Sequence, residues 1–255
     1  MEKKRTGLIA CEIFFREIAY FAARGPQVID AVFLPKGLHD LGGDKMRETI
    51  QAEIDKMQEK DYTRIILGYA LCNNGIVGLT GRRFSLVAPR AHDCIAVFMG
   101  SRERYQDYFF ANTGTYFHTT GWLERGTPEG GGVTTKYFDS QLGPMNLRQS
   151  LEDLIAKYGE ENGFYLHQIL DPEKNYHKIL YITLPLPGLP DYRDLSRETA
   201  QDKGWEWEEM TGDSSFLKQL IEGPYPERDF LVAKPGQRIV ATNGEKIIGS
   251  VSIKT

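Results

Sequence analysis

An apolar run that ends in a cysteine stands at Arg64-Ile65-Ile66-Leu67-Gly68-Tyr69-Ala70-Leu71-Cys72. Its isoleucines and leucines follow one another without alternating polar positions, which is typical of a strand buried on both faces. Such strands belong to parallel sheets that helices cover on both sides. The run therefore predicts one strand of a parallel sheet, and it places Cys72 just beyond the strand's carboxyl end.

Strands and helices alternate along the chain on both sides of this run. Apolar or β-rich segments predict further strands at Gly7–Ala10, Val28–Leu34 and Ser85–Pro89. Segments with apolar residues three or four positions apart predict helices between them, the longest at Lys45–Lys60. This alternation predicts an α/β fold with a Rossmann-like parallel sheet. In a flavodoxin-like order, the first, third and fourth strands are neighbours.

A second, smaller α/β unit is predicted for the rest of the chain. Thr127–Gly143 is rich in glycine and polar residues and predicts a mobile loop or lid, because it is too long for an ordinary connection. We therefore assign residues 1–145 to the Rossmann-like domain and residues 146–255 to the second unit. The second unit is predicted to contain a helix at Leu147–Tyr158, strands at Lys178–Thr183, Trp205–Met210 and Phe230–Ala233, and a hairpin at Arg238–Ser252. The cleft between the two units is the expected ligand site.

The overall composition excludes several classes of protein. Of the 255 residues 41% are hydrophobic and 26% are charged, as in ordinary globular proteins, and the net charge of −4 gives no sign of nucleic-acid binding. No apolar run approaches the ~20 residues that span a bilayer, and charges interrupt the apolar segment after the basic N-terminus. We therefore expect a cytoplasmic protein that neither binds membranes nor carries a signal peptide. In that reducing compartment, cysteines act as metal ligands or nucleophiles more often than as disulfides.

The three cysteines of the chain each come just after a predicted strand. They are Cys11, Cys72 and Cys94. Because neighbouring parallel strands lie about 4.8 Å apart, side chains that leave three adjacent strand ends can meet at one point. Three thiolates can hold one metal ion and leave its fourth position open for a substrate. The alternative is that the three are small, buried hydrophobic residues, since no Cys-x-x-Cys pair fixes a type of metal site.

Two polar residues precede the third cysteine, and each has more than one possible role. His92 can be a fourth ligand that closes a structural zinc site, or it can remain an acid or base beside an open site. Asp93 can orient His92 or cap the start of a helix. Another catalytic alternative is a dyad of Cys94 and His92 with the thiol as nucleophile, although it leaves the other two cysteines unexplained.

Other polar groups near the same edge are candidates for binding an anion. Arg90 can clamp a carboxylate or a phosphate. Asn73, Asn74 and Gly75 form a turn whose backbone amides can bind an anion. Ser101 and Arg102 open a predicted helix, where an anion site and an ordinary cap are equally compatible with the sequence.

Several segments resemble those of the family called domain of unknown function 1638. They are Gly68–Gly75, Pro89–Cys94, Gly100–Tyr105, Gly114–Phe117 with Gly121-Trp122, and Pro235–Arg238. The resemblance extends over most of the chain, and Cys72 and Cys94 lie in two of these segments. It assigns no activity. It does imply a context, because genes of this family are associated with genes for corrinoid-dependent methyl transfer.

Taken together, these features predict a metal-dependent enzyme or accessory factor of corrinoid-linked one-carbon metabolism. The nearby His92 favours zinc, and an open zinc position would activate a small thiol for methyl transfer. The expected partners are a small-molecule substrate and a corrinoid protein or methyltransferase. One alternative is a [4Fe–4S] cluster with one open iron. Another is a non-catalytic module that binds a corrinoid, a tetrapyrrole or a carrier protein and holds a structural zinc through the cysteines and His92.

Overall fold

The computed structural model describes residues 5–125 and 175–253, together with residues 155–156, 159–160 and 162. The predicted loop at Thr127–Gly143 lies outside the described residues, and so does most of the predicted helix at Leu147–Tyr158. The described strands are β1 (Arg5–Cys11), β2 (Val28–Leu34), β3 (Arg64–Gly68), β4 (Ser85–Pro89), β5 (Thr115–Thr119), β6 (Lys178–Thr183), β7 (Glu206–Thr211), β8 (Phe230–Ala233), β9 (Gln237–Ala241) and β10 (Ile248–Ser252). The described α-helices are α1 (Phe15–Arg24), α2 (Gly42–Lys56), α3 (Cys94–Met99), α4 (Arg102–Ala111), α5 (Thr120–Glu124), α6 (Arg193–Lys203) and α7 (Ser215–Glu222).

The larger sheet has the strand order β2-β1-β3-β4-β8. Its first four strands are parallel, and β8 pairs antiparallel with β4. Strands β1, β3 and β4 are almost completely buried, as expected of central strands whose sequences are continuously apolar. The Rossmann-like α/β fold is confirmed, and β1, β3 and β4 are neighbours as predicted.

The smaller sheet is parallel and has the order β5-β6-β7. Helix α6 follows β6 and ends at Gly204, which has the left-handed conformation typical of a helix stop. Strands β9 and β10 form the predicted antiparallel hairpin, with Asn243 and Gly244 in its turn.

The predicted boundary at residue 145 does not separate the two sheets. Strand β5 precedes that boundary but pairs with β6 in the smaller sheet, and β8 follows it but pairs with β4 in the larger one. Each sheet therefore contains a strand from the other side of the boundary. The pairing of strands does not follow their order in sequence, because a free sheet edge can accept a strand from any part of the chain.

The carboxyl ends of the two sheets are in direct contact. A Cβ atom at Gly121, in α5, would overlap the carbonyl oxygen of Ile13, so only glycine allows this approach. The backbone N–H of Asp213, after β7, donates a hydrogen bond to the carbonyl oxygen of Phe98 at 3.1 Å. Phe98 also stacks on Phe14, which follows β1, with their ring centroids 4.7 Å apart. Residues that follow strands of both sheets are consequently neighbours.

Candidate metal centre

All three cysteines lie at the carboxyl edge of neighbouring strands. Cys11 is the last residue of β1, Cys72 follows β3, and Cys94 is the first residue of α3, after β4. Cys11 and Cys72 are buried, and Cys94 is partly buried. The backbone N–H groups of Leu71 and Cys72 donate to the carbonyl oxygens of Ala91 and His92, each at 3.0 Å. These two bonds continue the pairing of β3 and β4 into the loops that carry Cys72 and Cys94.

Burial is the main influence on the ionisation of the three thiols. Burial raises the pKa of Cys11 to about 12 and also raises the pKa values of Cys72 and Cys94. Negative charge on Asp93 and then on the other two cysteines raises the pKa of Cys94 further. The three thiols therefore remain protonated at neutral pH until a positive charge compensates for their ionisation.

The thiols do not already surround a common point. Within residues 5–125 and 175–253 and the few described between them, no three or more His, Cys, Asp or Glu side chains are arranged to hold a metal ion. The donor set nevertheless suits a soft metal, because three thiols leave adjacent strand ends. Coordination would require their sulfur atoms to move closer together.

Cys72 begins a turn with an unusual backbone. Cys72, Asn73 and Asn74 have φ angles of 42°, 54° and 63°, so three successive non-glycine residues are left-handed. The backbone N–H of Gly75 closes the turn by donating to the carbonyl oxygen of Cys72 at 2.9 Å. A left-handed conformation costs roughly 1–2 kcal/mol per residue, less for asparagine. Strain of this kind persists most often at functional sites.

The asparagines and the glycine of this turn differ in their surroundings. Asn73 and Asn74 are exposed, whereas Gly75 is buried where a Cβ atom would overlap the side chain of Met46. Gly75 therefore packs the turn against α2, and the two asparagine side chains face solvent. The segment is therefore a tight turn that fixes the backbone of Cys72.

Asp93 caps the start of α3, which is one of the two roles expected from the sequence. One carboxylate oxygen, Oδ1, accepts hydrogen bonds from the backbone N–H groups of Ile95 at 2.9 Å and Ala96 at 3.2 Å. The other, Oδ2, accepts one from the hydroxyl of Tyr105 at 2.6 Å. Burial raises the pKa of Asp93, and the bond from Tyr105 opposes that rise. Asp93 thus fixes the start of α3, and with it the position of Cys94.

His92 contacts Cys72 through its backbone. Its side chain is exposed and lines a groove of about 830 Å³ between the start of α4 and the turn of the β9–β10 hairpin. Arg102 lines the same groove and donates from Nη1 to the carbonyl oxygen of Glu245. Ser101 caps α4, because its Oγ accepts a hydrogen bond from the backbone N–H of Arg104 at 3.0 Å.

Arg90 is buried and joins strands rather than facing a ligand. Its Nε donates to the carbonyl oxygen of Phe230 at 3.3 Å, and its Nη1 donates to those of Lys246 at 2.8 Å and Ile248. Burial lowers the pKa of the guanidinium. These contacts tie β4 to β8 and to the hairpin. The expectation that Arg90 clamps an anion finds no support in them, because the side chain is turned toward backbone carbonyls.

Two buried polar residues at this edge were not predicted from the sequence. Tyr69 is 1% exposed, and its hydroxyl has no hydrogen-bond partner in the part of the chain that the structure describes. Lys36 is 2% exposed; its Nζ donates to the carbonyl oxygen of Trp122 at 3.3 Å and lies 4.0 Å from the centroid of that ring. Both residues follow strands, β3 and β2. The cysteines were selected because each follows a predicted strand, and the same criterion applied to every residue type would have selected Tyr69 and Lys36.

The chain belongs to a family whose model carries the description "Protein of unknown function (DUF1638)". That model matches residues 33–221, well over half of the chain, a range that contains Cys72 and Cys94 and begins after Cys11. No curated protein and no solved structure matches the chain. Among the described residues, no helix is both long enough and apolar enough to cross a membrane.

Proposed function

We propose that this DUF1638 protein is a metal-dependent enzyme or accessory factor of corrinoid-linked one-carbon metabolism, with its metal bound by Cys11, Cys72 and Cys94. The observation that carries the proposal is the arrival of three thiols at one sheet edge, one of them on a strained left-handed turn. The strain supports a functional role, because buried cysteines that only fill space do not require it. We place the protein in the cytoplasm, where these thiols would stay reduced.

Two metals fit this donor set. Zinc bound by three thiolates keeps a fourth position for a substrate, and a [4Fe–4S] cluster bound by three thiolates keeps one iron open. The sequence favoured zinc because of His92, but that imidazole lines the exposed groove. This position disfavours the closed structural zinc site and makes the all-sulfur cluster a full second candidate.

The proposed chemistry is methyl transfer involving a small thiol. A bound metal would lower the pKa of a substrate thiol and so make its sulfur a better nucleophile. The chain's own residues would exclude water from that sulfur, since Cys11, Cys72 and Tyr69 are buried. His92 precedes Cys94 by two residues and lines the solvent-exposed groove, and we assign it the transfer of the thiol's proton to water. The same groove is our candidate surface for a corrinoid protein or methyltransferase.

The first test is anaerobic purification followed by elemental analysis and visible absorption. A colourless protein with one equivalent of zinc would identify the first metal, and a brown protein with iron and sulfide would identify the second. A protein that contains no metal, and binds none after addition of zinc or of iron with sulfide, would contradict the proposal.

The second test addresses the reaction. Methylcobalamin serves as the methyl donor and 2-mercaptoethanol as the acceptor, and the change in the corrinoid spectrum reports transfer of the methyl group to sulfur. We expect the metal-loaded protein to accelerate the reaction and the Cys72→Ser variant not to do so. A loaded protein without effect would leave the accessory role in place and eliminate the enzyme.

A further inference from the structure

The guanidinium group of Arg102 is anchored on one side and unpaired on the other. The side chain is 13% exposed, and its Nη1 donates a hydrogen bond to the carbonyl oxygen of Glu245. Among the described residues, none accepts a hydrogen bond from its buried Nε. Its Nη2 lies 3.9 Å from Oε1 of Glu103, beyond hydrogen-bond distance. Because a buried donor without an acceptor carries a free-energy cost, this side of the guanidinium calls for a partner.

The unpaired side is the one with which arginine binds carboxylates. Nε and Nη2 form a planar fork whose N–H groups match the two oxygens of a carboxylate. In this chain, Arg82 uses the fork on Asp55: Nε donates to Oδ1 at 2.9 Å and Nη2 to Oδ2 at 3.1 Å. Arg16 holds Glu124 in the same way. Arg102 presents this fork in a fixed orientation, because its Nη1 is already bound to the backbone.

The neighbouring carboxylate of Glu103 does not fill the fork. Side chains of successive helical residues do not face each other, so Glu103 cannot lie squarely against Arg102. Its Oε1 instead accepts a hydrogen bond from Nη2 of Arg228 at 2.7 Å. Both side chains of this ion pair are exposed, and exposed pairs contribute little to stability. A ligand can therefore displace the Glu103 carboxylate from between the two arginines.

The groove around the fork has room for a polar molecule. It has a volume of about 830 Å³, and both arginines line it. The imidazole of His92 and the amide groups of Gln106 and Asn243 also line it and can pair with further polar groups of a ligand. Glu245 lies in the same wall, and its negative charge opposes the second charge of a phosphate. The groove consequently favours a ligand with a single carboxylate.

We propose that this groove binds a small polar molecule through its carboxylate, which pairs with Nε and Nη2 of Arg102 and replaces the Glu103 carboxylate beside Arg228. The bound carboxylate supplies the acceptor that Nε lacks, and the Glu103 side chain turns toward solvent. The site depends on the guanidinium fork and not on the end of α4, where Ser101 already accepts a hydrogen bond from the backbone N–H of Arg104. It does not depend on a metal at the cysteines.

The test measures binding of acetate to the whole chain by NMR. Acetate is the probe because it presents a carboxylate and little else. The protein, labelled with ¹⁵N, is titrated with sodium acetate, and sodium chloride at equal ionic strength is the reference. The Nε–H signal of Arg102 and the backbone N–H signal of Gly244, which lines the groove, report binding. We expect both signals to shift saturably with acetate, with a Kd of roughly 1 mM or above, and not with chloride.

Two substitutions should change the affinity for acetate in opposite directions. Arg102→Lys keeps the charge but lacks the fork, so it should weaken binding by about tenfold or more. Glu103→Gln removes the competing carboxylate and should strengthen binding by about threefold or more. Arg82→Met, which loses an exposed arginine outside the groove, is the control and should keep the wild-type affinity. Arg102→Gln replaces Arg102→Lys if the latter does not fold.

The outcomes separate this site from the proposed metal centre. Wild-type affinity in folded Arg102→Lys, or unchanged or weaker binding by Glu103→Gln, would overturn the carboxylate site. Tighter binding of inorganic phosphate than of acetate would also overturn it, because the groove would then recognise a different class of anion. Cys72→Ser should bind acetate as the wild type does, so either site can fail in its own test while the other stands.

Discussion

The backbone N–H of Cys72 donates a hydrogen bond to the carbonyl oxygen of His92 at 3.0 Å. The bond lies beyond Ile66 and Val87, the last paired residues of β3 and β4. It therefore joins the loop after β3 to the loop after β4. Cys72 is the donor of this bond, and Cys94 follows the acceptor residue by two positions. Their proximity is thus a property of the backbone, which would persist when either side chain is replaced.

The left-handed turn at Cys72 predicts opposite effects for two substitutions at Asn73. Asn73→Val places a β-branched residue at a φ of 54° and should destabilise the protein by roughly 1–2 kcal/mol. Asn73→Gly should be neutral or slightly stabilising, because glycine adopts this conformation without steric cost. Urea unfolding measures both. Equal stability of the two variants would show that the turn is not strained.

The contact between the two sheets predicts that Gly121 tolerates no side chain. Gly121→Ala should destabilise the protein by about 2 kcal/mol or more, because the added methyl group overlaps the carbonyl oxygen of Ile13. Gly188→Ala is the control: it has open space around it and a φ of 80°, so only the roughly 1 kcal/mol cost of the backbone conformation applies. Thermal unfolding of the two variants gives the comparison, and a smaller loss for Gly121→Ala would contradict the close approach.

Substitution of Arg90 should lower the stability of the protein without lowering its metal content. Arg90→Met leaves the carbonyl oxygens of Phe230, Lys246 and Ile248 without their donor and should destabilise the protein by roughly 2–4 kcal/mol. Arg82→Met, which removes an exposed ion pair with Asp55, should cost less than about 1 kcal/mol. Metal content should not change in either variant. Loss of metal or of thiol binding from folded Arg90→Met would restore its expected role at the ligand.

The buried carboxyl group of Glu17 should make the stability difference between wild type and Glu17→Gln depend on pH. Glu17 is 1% exposed, and burial raises its pKa from 4.5 to about 7. Because the folded-state pKa lies above the unfolded-state value, the folded state is favoured below pH 4.5 and loses that advantage as the pH rises through 7. The loss amounts to roughly 3 kcal/mol. Glu17→Gln should therefore gain stability relative to wild type above pH 7, and a constant difference in urea midpoint from acid to alkaline pH would contradict the buried carboxyl.

Much of the fold could be predicted because the strands carry strong local signals. Val28–Leu34 and Ser85–Pro89 are strands with the predicted bounds, since β-rich and apolar runs between turns have few other structures available. Asp93 indicated a possible helix start, but the extent of α3 could not be predicted, because five of its six residues are buried and show no helical period. The pairing of β8 with β4 depends on contacts distant in sequence, which no local pattern encodes.

The site was predictable to the extent that strand order fixes it. Once β1, β3 and β4 are neighbours, Cys11, Cys72 and Cys94 must emerge at one edge. The Asn-Asn-Gly sequence indicated a turn, but its left-handed start at Cys72 is a three-dimensional constraint. Among the described residues, the lack of a hydrogen-bond partner for the Tyr69 hydroxyl likewise depends on the packing around it.

The most direct measurement is the metal content of wild type, Cys11→Ser, Cys72→Ser and Cys94→Ser, all purified without oxygen and checked for folding by circular dichroism. Each folded variant should retain far less metal than the wild-type protein, since each loses one of three thiolate ligands. Three folded variants that bind as much metal as the wild type would show that these sulfur atoms do not form a metal centre.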